Sequence, residues 1–282
     1  MKNLAPYSKN TFEFHKEVVK SKNQTKKDPT YKNRVESLND VVENQFLVYD
    51  NNFTENNLED IICHGHTEDE KKDLLKLYSY KNSVIKQLKI DLTTTETKRI
   101  INTCPNCTIN EIHSLDHYLP QQKFPEFVVN PKNLFPSCTD CNGLKNDIVK
   151  KEDKKLFLNL YIDKLPSVQY LFVNFVFSEN VISTNFYLQN NGAIDKDLFE
   201  LITTHYDRLH LLRRFSENSN EVITSLENSI TEYLAKLTLQ DIVEISIAKS
   251  NKDRLAFGHN YWKSILEISL LSCNKYLERF NH

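Results

Sequence analysis

The chain has 282 residues, of which 39% are hydrophobic and 11% aromatic, values that are typical of a packed globular protein and exclude wholesale disorder. Its formal net charge of −2 excludes a global basic field, so any contact with a phosphate backbone has to be local. Only 4 glycines occur and no glycine-rich phosphate-binding motif is present, which disfavours the common nucleotide-hydrolysing folds.

The N-terminal third is predicted to be helical after a loose start. Residues 1 to about 30 are polar and carry several lysines, a composition typical of an unstructured arm. Apolar residues then recur at intervals of three and four over residues 35–49 and 74–88, which is the period of amphipathic helices. Between them, Cys63-His64-Gly65-His66 is predicted to be a loop at a helix end, because three metal-ligating side chains without a distant partner do not make a defined site.

The middle of the chain has a different composition. Of the 8 prolines, 5 fall between Pro105 and Pro136, among short apolar runs such as Phe127-Val128-Val129. This pattern is typical of a segment that is rich in loops and contains only short strands.

The C-terminal part is predicted to be a β-hairpin followed by helices. Residues 170–177 and 181–188 alternate apolar and polar side chains around Ser178-Glu179-Asn180. Helical spacing follows over residues 198–212, 222–237, 242–247 and 261–276. The sequence therefore predicts an α+β fold in three regions, which are a mainly helical region at 1–98, a core at 99–155 and the hairpin with helices at 156–282.

The opening residues lack the apolar core of a signal peptide, and no stretch approaches the roughly 20 apolar residues that span a bilayer. We therefore expect a cytoplasmic protein that does not contact a membrane. In that reducing compartment the 6 cysteines are not expected to form disulfides. Cys63 and Cys273 stand apart from the others.

Four cysteines form two Cys-x-x-Cys pairs. Zinc prefers four tetrahedral ligands, and a two-residue spacer lets both thiolates of a pair face one ion. Because sulfur would fill all four positions and leave none for water, the metal is expected to be structural rather than catalytic. The predicted Zn²⁺ ligands are Cys104, Cys107, Cys138 and Cys141.

The segment between the two pairs holds the polar residues Asp116-His117 and Asn133, and Asn142 directly follows Cys141. In these residues and their cysteine frame, the stretch from about residue 101 to 147 resembles the HNH endonucleases with a ββα-metal active site, in the subgroup whose motif is flanked by Cys-x-x-Cys pairs. The resemblance implies a small ββα-metal core. It also implies that Asp116 and His117 are the acidic-His pair on the first strand, Asn133 the central asparagine and Asn142 the last position of the motif.

Each of these residue types suits phosphodiester hydrolysis. A histidine with a pKa near neutrality can take a proton from water, so His117 is expected to be the general base. Asp116 and Asn142 offer oxygen ligands suited to a catalytic Mg²⁺ or Mn²⁺. By resemblance, Asn133 hydrogen-bonds the backbone of the motif and does not touch that metal. Lys145 is expected to contact a phosphate at the start of a short helix.

Adjacent residues on a strand face opposite ways. Asp116 and His117 are therefore expected to reach one phosphate only at a twisted strand end or a bulge.

The function expected from this resemblance is that of a metal-dependent endonuclease that hydrolyses DNA and leaves 5′-phosphate and 3′-hydroxyl ends. Two alternatives stay open: a catalytically inactive, zinc-stabilised module that binds nucleic acid or protein, and a nuclease that cuts RNA. By analogy with soluble bacterial HNH proteins of this size, we expect a role in phage defence beside an ATPase or sensor partner protein.

Overall fold

The computed structural model describes residues 1–152, 154–178 and 181–280, and the chain is a mixture of helices and short strands. It divides into two compact units, of which the first contains Asn3–Pro105 and Asn110–Lys164 and the second contains Met1–Lys2, Asn106–Ile109 and Leu165–His282. The division into three regions at residues 98 and 155 stays a prediction. None of the described helices is long and apolar enough to cross a membrane.

The first unit combines helices with two short β-hairpins. Its elements are α1 (Thr11–Lys20), α2 (Tyr31–Glu36), α3 (Asn39–Glu55), α4 (Glu68–Leu75), α5 (Ser83–Thr93), β1 (Ser114–His117), β2 (Leu134–Ser137), α6 (Thr139–Lys145), β3 (Lys150–Lys151) and β4 (Lys154–Lys155).

Residues 11–20 form a helix, although composition predicts a loose arm from residue 1 to about 30. Asn10 caps α1, because its side-chain oxygen accepts a hydrogen bond from the Glu13 N–H at 2.9 Å. One face of the helix buries Phe12, Phe14 and Val18 in the core of the unit. The prediction is wrong for this segment because Lys16 and Lys20 lie on the exposed face of the helix and conceal its apolar period.

The helices predicted over residues 35–49 and 74–88 are present but interrupted. The break in the second segment follows from Asn82, whose side chain accepts hydrogen bonds from the N–H groups of Val84 and Ile85 at 2.8 and 3.4 Å and so begins a new helix, α5. Tyr78 consequently lies in the connection between α4 and α5 and not within a helix.

The two central strands form an antiparallel hairpin that is followed directly by α6. Ser114 lies opposite Ser137, and His117 opposite Leu134, in a regular register without a bulge among these eight residues. The bulge considered from the sequence is therefore absent, and His117 is the last residue of its strand. Of the two features expected from the sequence, a strand end and a bulge, the strand end is therefore the one that is present.

The helices of the first unit pack against the connection between β1 and β2. In the long β1–β2 connection, Pro125–Phe127 form a 3₁₀ turn that packs against α3. Phe127 is fully buried, and its ring centroid lies 4.9 Å from that of Tyr49 in an edge-to-face contact. The connection between the strands is therefore part of the core and not a mobile surface loop.

The second unit begins with the predicted β-hairpin, which is confirmed. Strands β5 (Leu171–Ser178) and β6 (Val181–Leu188) are antiparallel, and the predicted turn residues Glu179 and Asn180 lie outside the described residues. Trp262 is buried and stacks on Phe215 with ring centroids 5.4 Å apart, as expected for a core residue. The helices are α7 (Lys196–Arg208), α8 (Leu211–Glu217), α9 (Ser219–Tyr233), α10 (Leu239–Phe257), α11 (Trp262–Leu271) and α12 (Asn274–Leu277).

The packing of His15 on α1 makes the stability of the first unit depend on pH. Its ring stacks on Phe12 at 5.6 Å and meets the edge of Phe46 at 5.8 Å, and burial lowers the pKa of His15 from 6.5 to about 4. Because the unfolded chain binds the proton first, the stability present above pH 6.5 is lost as the pH falls toward 4.

We expect the free energy of unfolding of the His15→Leu variant to fall less steeply between pH 7 and pH 4.5 than that of the wild type, by up to about 3 kcal/mol over the window. Urea denaturation at a series of pH values measures this slope. The exposed His210 provides the control, and His210→Asn should keep the wild-type slope. Parallel slopes for the wild type and His15→Leu would contradict the assignment.

Candidate active site and zinc centre

The four cysteines of the two Cys-x-x-Cys pairs form one buried cluster. Their ligand atoms all lie within 4.8 Å of one another. Four sulfurs around a tetrahedral zinc at about 2.3 Å are about 3.8 Å apart, so a modest contraction brings this cluster onto one ion. The cluster can therefore hold a zinc ion, and its residues are Cys104, Cys107, Cys138 and Cys141.

Local backbone geometry prepares both pairs for a metal. In the first pair, the Sγ of Cys107 accepts a hydrogen bond from the Ile109 N–H at 3.4 Å. Cys138 caps α6, and its Sγ accepts a hydrogen bond from the Cys141 N–H at 3.4 Å. Such bonds stabilise negative charge on sulfur, which is the form that ligates zinc.

Next to α6 lies a cavity of about 270 Å³ in the first unit. It is lined by residues from β1, from the connection between α4 and α5, and from α6 with the residues that follow it. The sequence-predicted residues Asp116, His117 and Asn142 all line it. The structure therefore brings together three side chains that span 27 positions of the chain.

Asp116 is a buried carboxylate beside one cation. Burial raises the pKa of Asp116 above its ordinary value, and the Lys145 ammonium, 3.3 Å from its Oδ2, acts in the opposite direction. A carboxylate that is removed from water in this way gains from any positive charge placed next to it. This environment suits a cation ligand.

His117 is held by the backbone of the β1–β2 connection. Its Nε2 lies 2.8 Å from the Val128 carbonyl oxygen, and since a carbonyl only accepts, Nε2 carries the hydrogen and Nδ1 the lone pair. The Tyr78 ring meets the imidazole edge-to-face at 4.6 Å. Burial lowers the pKa of His117 to about 4, so the imidazole is neutral at physiological pH and able to accept a proton.

Asn142 is turned toward the same side of the hairpin as Asp116. Its amide nitrogen donates to the Ser114 hydroxyl at 3.2 Å. Ser114 and Asp116 are two positions apart on β1 and so share one face of the strand. With its nitrogen used in this bond, Asn142 has its carbonyl oxygen as the donor for a hard cation.

Asn133 is fully buried and lies away from the cavity lining. Its side-chain oxygen accepts the Leu119 N–H at 2.7 Å, and its nitrogen donates to the carbonyls of Leu119 and Phe127 at 3.1 and 3.2 Å. The side chain thus ties the start and the middle of the β1–β2 connection to its end. This is the geometry of a positioning residue that does not touch a metal.

Lys145 departs from its prediction. It is the last residue of α6 and not near the helix start, and its side chain is buried. Its ammonium donates to the carbonyls of His117 and Tyr118 at 2.6 and 3.3 Å, in addition to its ion pair with Asp116. Three internal acceptors hold the charge inside the protein, so the structure gives Lys145 a role in fixing the end of β1.

Sequence reasoning missed several residues of the cavity. Tyr78 and Tyr80 come from the connection that breaks the predicted helix, and Asp147 follows α6. The Val128 carbonyl, which holds His117, is a backbone group without any sequence signal. The only available hint was the polar run around Ser79 and Tyr80, which disfavours a continuous helix.

Comparison with known proteins gives partial similarities. The chain is 30% identical over 176 residues to Protein ea31 of Escherichia phage lambda, a match that covers 58% of this chain and 59% of that protein. It is 44% identical over 39 residues to the Septu protein PtuB of Bacillus thuringiensis, which covers 14% of this chain and 15% of that protein. The chain thus matches less than two thirds of either relative. No protein-family model and no solved structure matches it.

The internal role of Lys145 predicts a loss of stability upon its removal. We expect Lys145→Met to lower the free energy of unfolding by about 3–5 kcal/mol, because it leaves a buried carboxylate without its partner. Urea denaturation measures this, with Lys86→Met on the exposed face of α5 as the control that changes stability by less than about 0.5 kcal/mol. Equal free energies of unfolding for the two variants would contradict a stabilising role of Lys145.

Proposed function

We propose that this chain is a metal-dependent endonuclease of the HNH type that hydrolyses phosphodiester bonds in DNA. The observation that carries the proposal is the convergence of Asp116, His117 and Asn142 on one cavity of about 270 Å³. A carboxylate, an amide and a neutral imidazole around one space are the groups that metal-assisted hydrolysis requires.

Further support comes from the order of elements around the cavity. Two antiparallel strands precede a short helix, and the four-cysteine cluster includes the N-cap residue of that helix, Cys138. The same order is what the resemblance to the Cys-x-x-Cys-flanked HNH endonucleases implies for residues 101–147. Zinc bound to Cys141 would fix the neighbouring Asn142, so metal-dependent folding and the catalytic site would be coupled.

His117 is the proposed general base. Its Nδ1 takes a proton from a water molecule while the oxygen of that water forms a bond to phosphorus. The bond between phosphorus and the 3′ oxygen breaks, and the leaving oxygen takes up a proton from solvent, which gives 5′-phosphate and 3′-hydroxyl ends. The low pKa of His117 belongs to the substrate-free state, and a phosphate anion in the cavity raises it toward the range in which a base is effective.

The donors present fit a hard divalent cation. Asp116 and Asn142 would hold Mg²⁺ or Mn²⁺ through oxygen atoms, and the cavity leaves space for a phosphate and for water. When bound, the cation supplies charge neutralisation at the phosphate and at the leaving oxygen. Lys145 keeps the Asp116 carboxylate in place, and Asn133 fixes the segment that carries the partner of His117.

We further propose that the enzyme acts in phage defence together with an ATPase or sensor partner protein. This proposal is supported by the partial similarities to a Septu protein from a bacterium and to a protein from a phage, because they indicate that related sequences occur both in bacteria and in phages. The partner protein, an ATPase or a sensor, is proposed by analogy with other HNH proteins alone.

Cleavage of supercoiled plasmid DNA tests the proposed chemistry. We expect the zinc-loaded wild type to nick the plasmid with Mg²⁺ or Mn²⁺, and His117→Ala to be slower by about 100-fold or more while it keeps its zinc. The exposed His113 does not line the cavity, so His113→Ala is the matched control and should cut at the wild-type rate. Asp116→Asn, a substitution of equal size at the proposed cation ligand, should also lose cleavage, and zinc retained by both variants shows that the loss does not come from misfolding.

Each alternative has its own signature in the same experiment. Intact plasmid and intact RNA in all reactions with the wild type would identify a catalytically inactive binding module. Cleavage of an RNA substrate beside intact plasmid would identify an RNA-cutting nuclease.

A further inference from the structure

A second group of metal-ligating side chains lies apart from the cavity and from the four cysteines. Residues 61–67 form the predicted loop, which precedes α4 and contains His64 and His66. The structure supplies what the sequence lacks, a distant acidic partner, because Glu126 of the 3₁₀ turn in the β1–β2 connection packs against this loop. All three residues belong to the first unit.

Glu126 is a carboxylate with one unsatisfied oxygen. Its side chain is 0% exposed, and its Oε1 accepts the His64 N–H at 3.1 Å. Its Oε2 is buried and has no hydrogen-bond partner among the described residues. Such an oxygen is costly to bury, and a bound cation is one of the few groups that compensate for the loss of water.

His66 points at that oxygen across a gap. Its side chain is only 2% exposed, and its Nε2, which also has no hydrogen-bond partner within the described part of the chain, lies 3.8 Å from Glu126 Oε2. This distance is too long for a hydrogen bond. Two ligands that each lie about 2.1 Å from one zinc ion are separated by up to about 4.2 Å, so a shared ion fits the gap.

His64 is the available third ligand. Its side chain is exposed, and its ring centroid lies 4.8 Å from that of His66. Among the described residues, the four cysteines are the group whose ligand atoms already converge, so a site at His64 is completed only when its ring turns toward the ion. Cys63 packs against the core. Glu70 accepts hydrogen bonds in the capping box of α4, and its Oε2 lies 3.8 Å from His66 Nδ1, on the other ring nitrogen from the one that faces Glu126.

We propose that His64, His66 and Glu126 form a second metal site, which takes a borderline divalent cation such as Zn²⁺ or Co²⁺. Two imidazoles and one carboxylate match the ligand preference of these ions, and the exposed side of the site leaves positions for water. The hydrogen bond from the His64 N–H to Oε1 orients the carboxylate, as ligand-supporting bonds do in other metal sites.

A metal ion at this site would restrict the movement of the β1–β2 connection. Glu126 lies two residues before Val128, whose carbonyl holds His117. An ion that joins Glu126 to the loop before α4 would restrict this turn, which also packs against α3. The inference stands independently of the proposed nuclease activity, because it concerns metal binding alone.

Titration with Co²⁺ of protein that holds one equivalent of zinc, enough for the four cysteines alone, tests the proposal. We expect one additional equivalent of bound Co²⁺ by calorimetry, accompanied by visible absorption typical of nitrogen and oxygen ligands. His64→Gln, at an exposed position that does not endanger folding, and Glu126→Gln should each weaken this binding by more than about tenfold. The control is His210→Asn, which replaces an exposed histidine of the second unit and should bind Co²⁺ like the wild type.

The candidate active site is a competing location for Co²⁺, and Asp116→Asn distinguishes the two. The additional equivalent of Co²⁺ should persist in Asp116→Asn if it is bound by His64, His66 and Glu126. The proposal is overturned if no additional equivalent binds, if His64→Gln binds Co²⁺ as tightly as the wild type, or if the equivalent disappears in Asp116→Asn alone.

Discussion

The hydrogen bonds of the Asn133 side chain are the constraint on which the candidate active site depends. One buried amide satisfies the N–H and carbonyl of Leu119 and the carbonyl of Phe127, and so closes the connection between β1 and β2 upon itself. The Val128 carbonyl is thereby fixed at 2.8 Å from the His117 ring. Loss of such a fully buried amide leaves the N–H and carbonyl of Leu119 without their side-chain partner, which costs more than one hydrogen bond contributes.

The N-terminal helices explain why the hairpin can be so short. A two-stranded hairpin of this length is not stable alone, and here side chains from other elements donate to its backbone. Tyr78 donates to the Leu115 carbonyl of β1 at 2.6 Å, and Lys89 of α5 donates to the carbonyl of Ile112, two residues before β1, at 2.6 Å. Outside the helical region, Tyr161 donates to the Leu134 carbonyl of β2 at 2.7 Å. The helical region thus acts as the scaffold for the strands and also excludes water from His117, which lowers the pKa of that residue.

The sequence predicted those features that follow from local pattern. Spacing of cysteines located the four-cysteine cluster, and alternation located the hairpin β5–β6. Motif order singled out Asp116, His117 and Asn142, which line one cavity, while their catalytic roles and that of Asn133 stay predictions. Features that depend on tertiary contacts were missed. The lysines of α1 concealed a buried face, the direction of the Lys145 side chain depends on carbonyls at the end of β1, and Glu126 is 60 residues away from His66. No local rule connects such positions, because packing alone brings them together.

The central claim is that Asp116 and Asn142 offer their oxygens to one cation beside His117. A crystal soaked with Mn²⁺ tests it most directly through anomalous diffraction recorded near the manganese edge. The account predicts a peak within about 2.0–2.6 Å of one oxygen of each residue. An empty cavity at saturating Mn²⁺, or a peak bound to other side chains only, would contradict it.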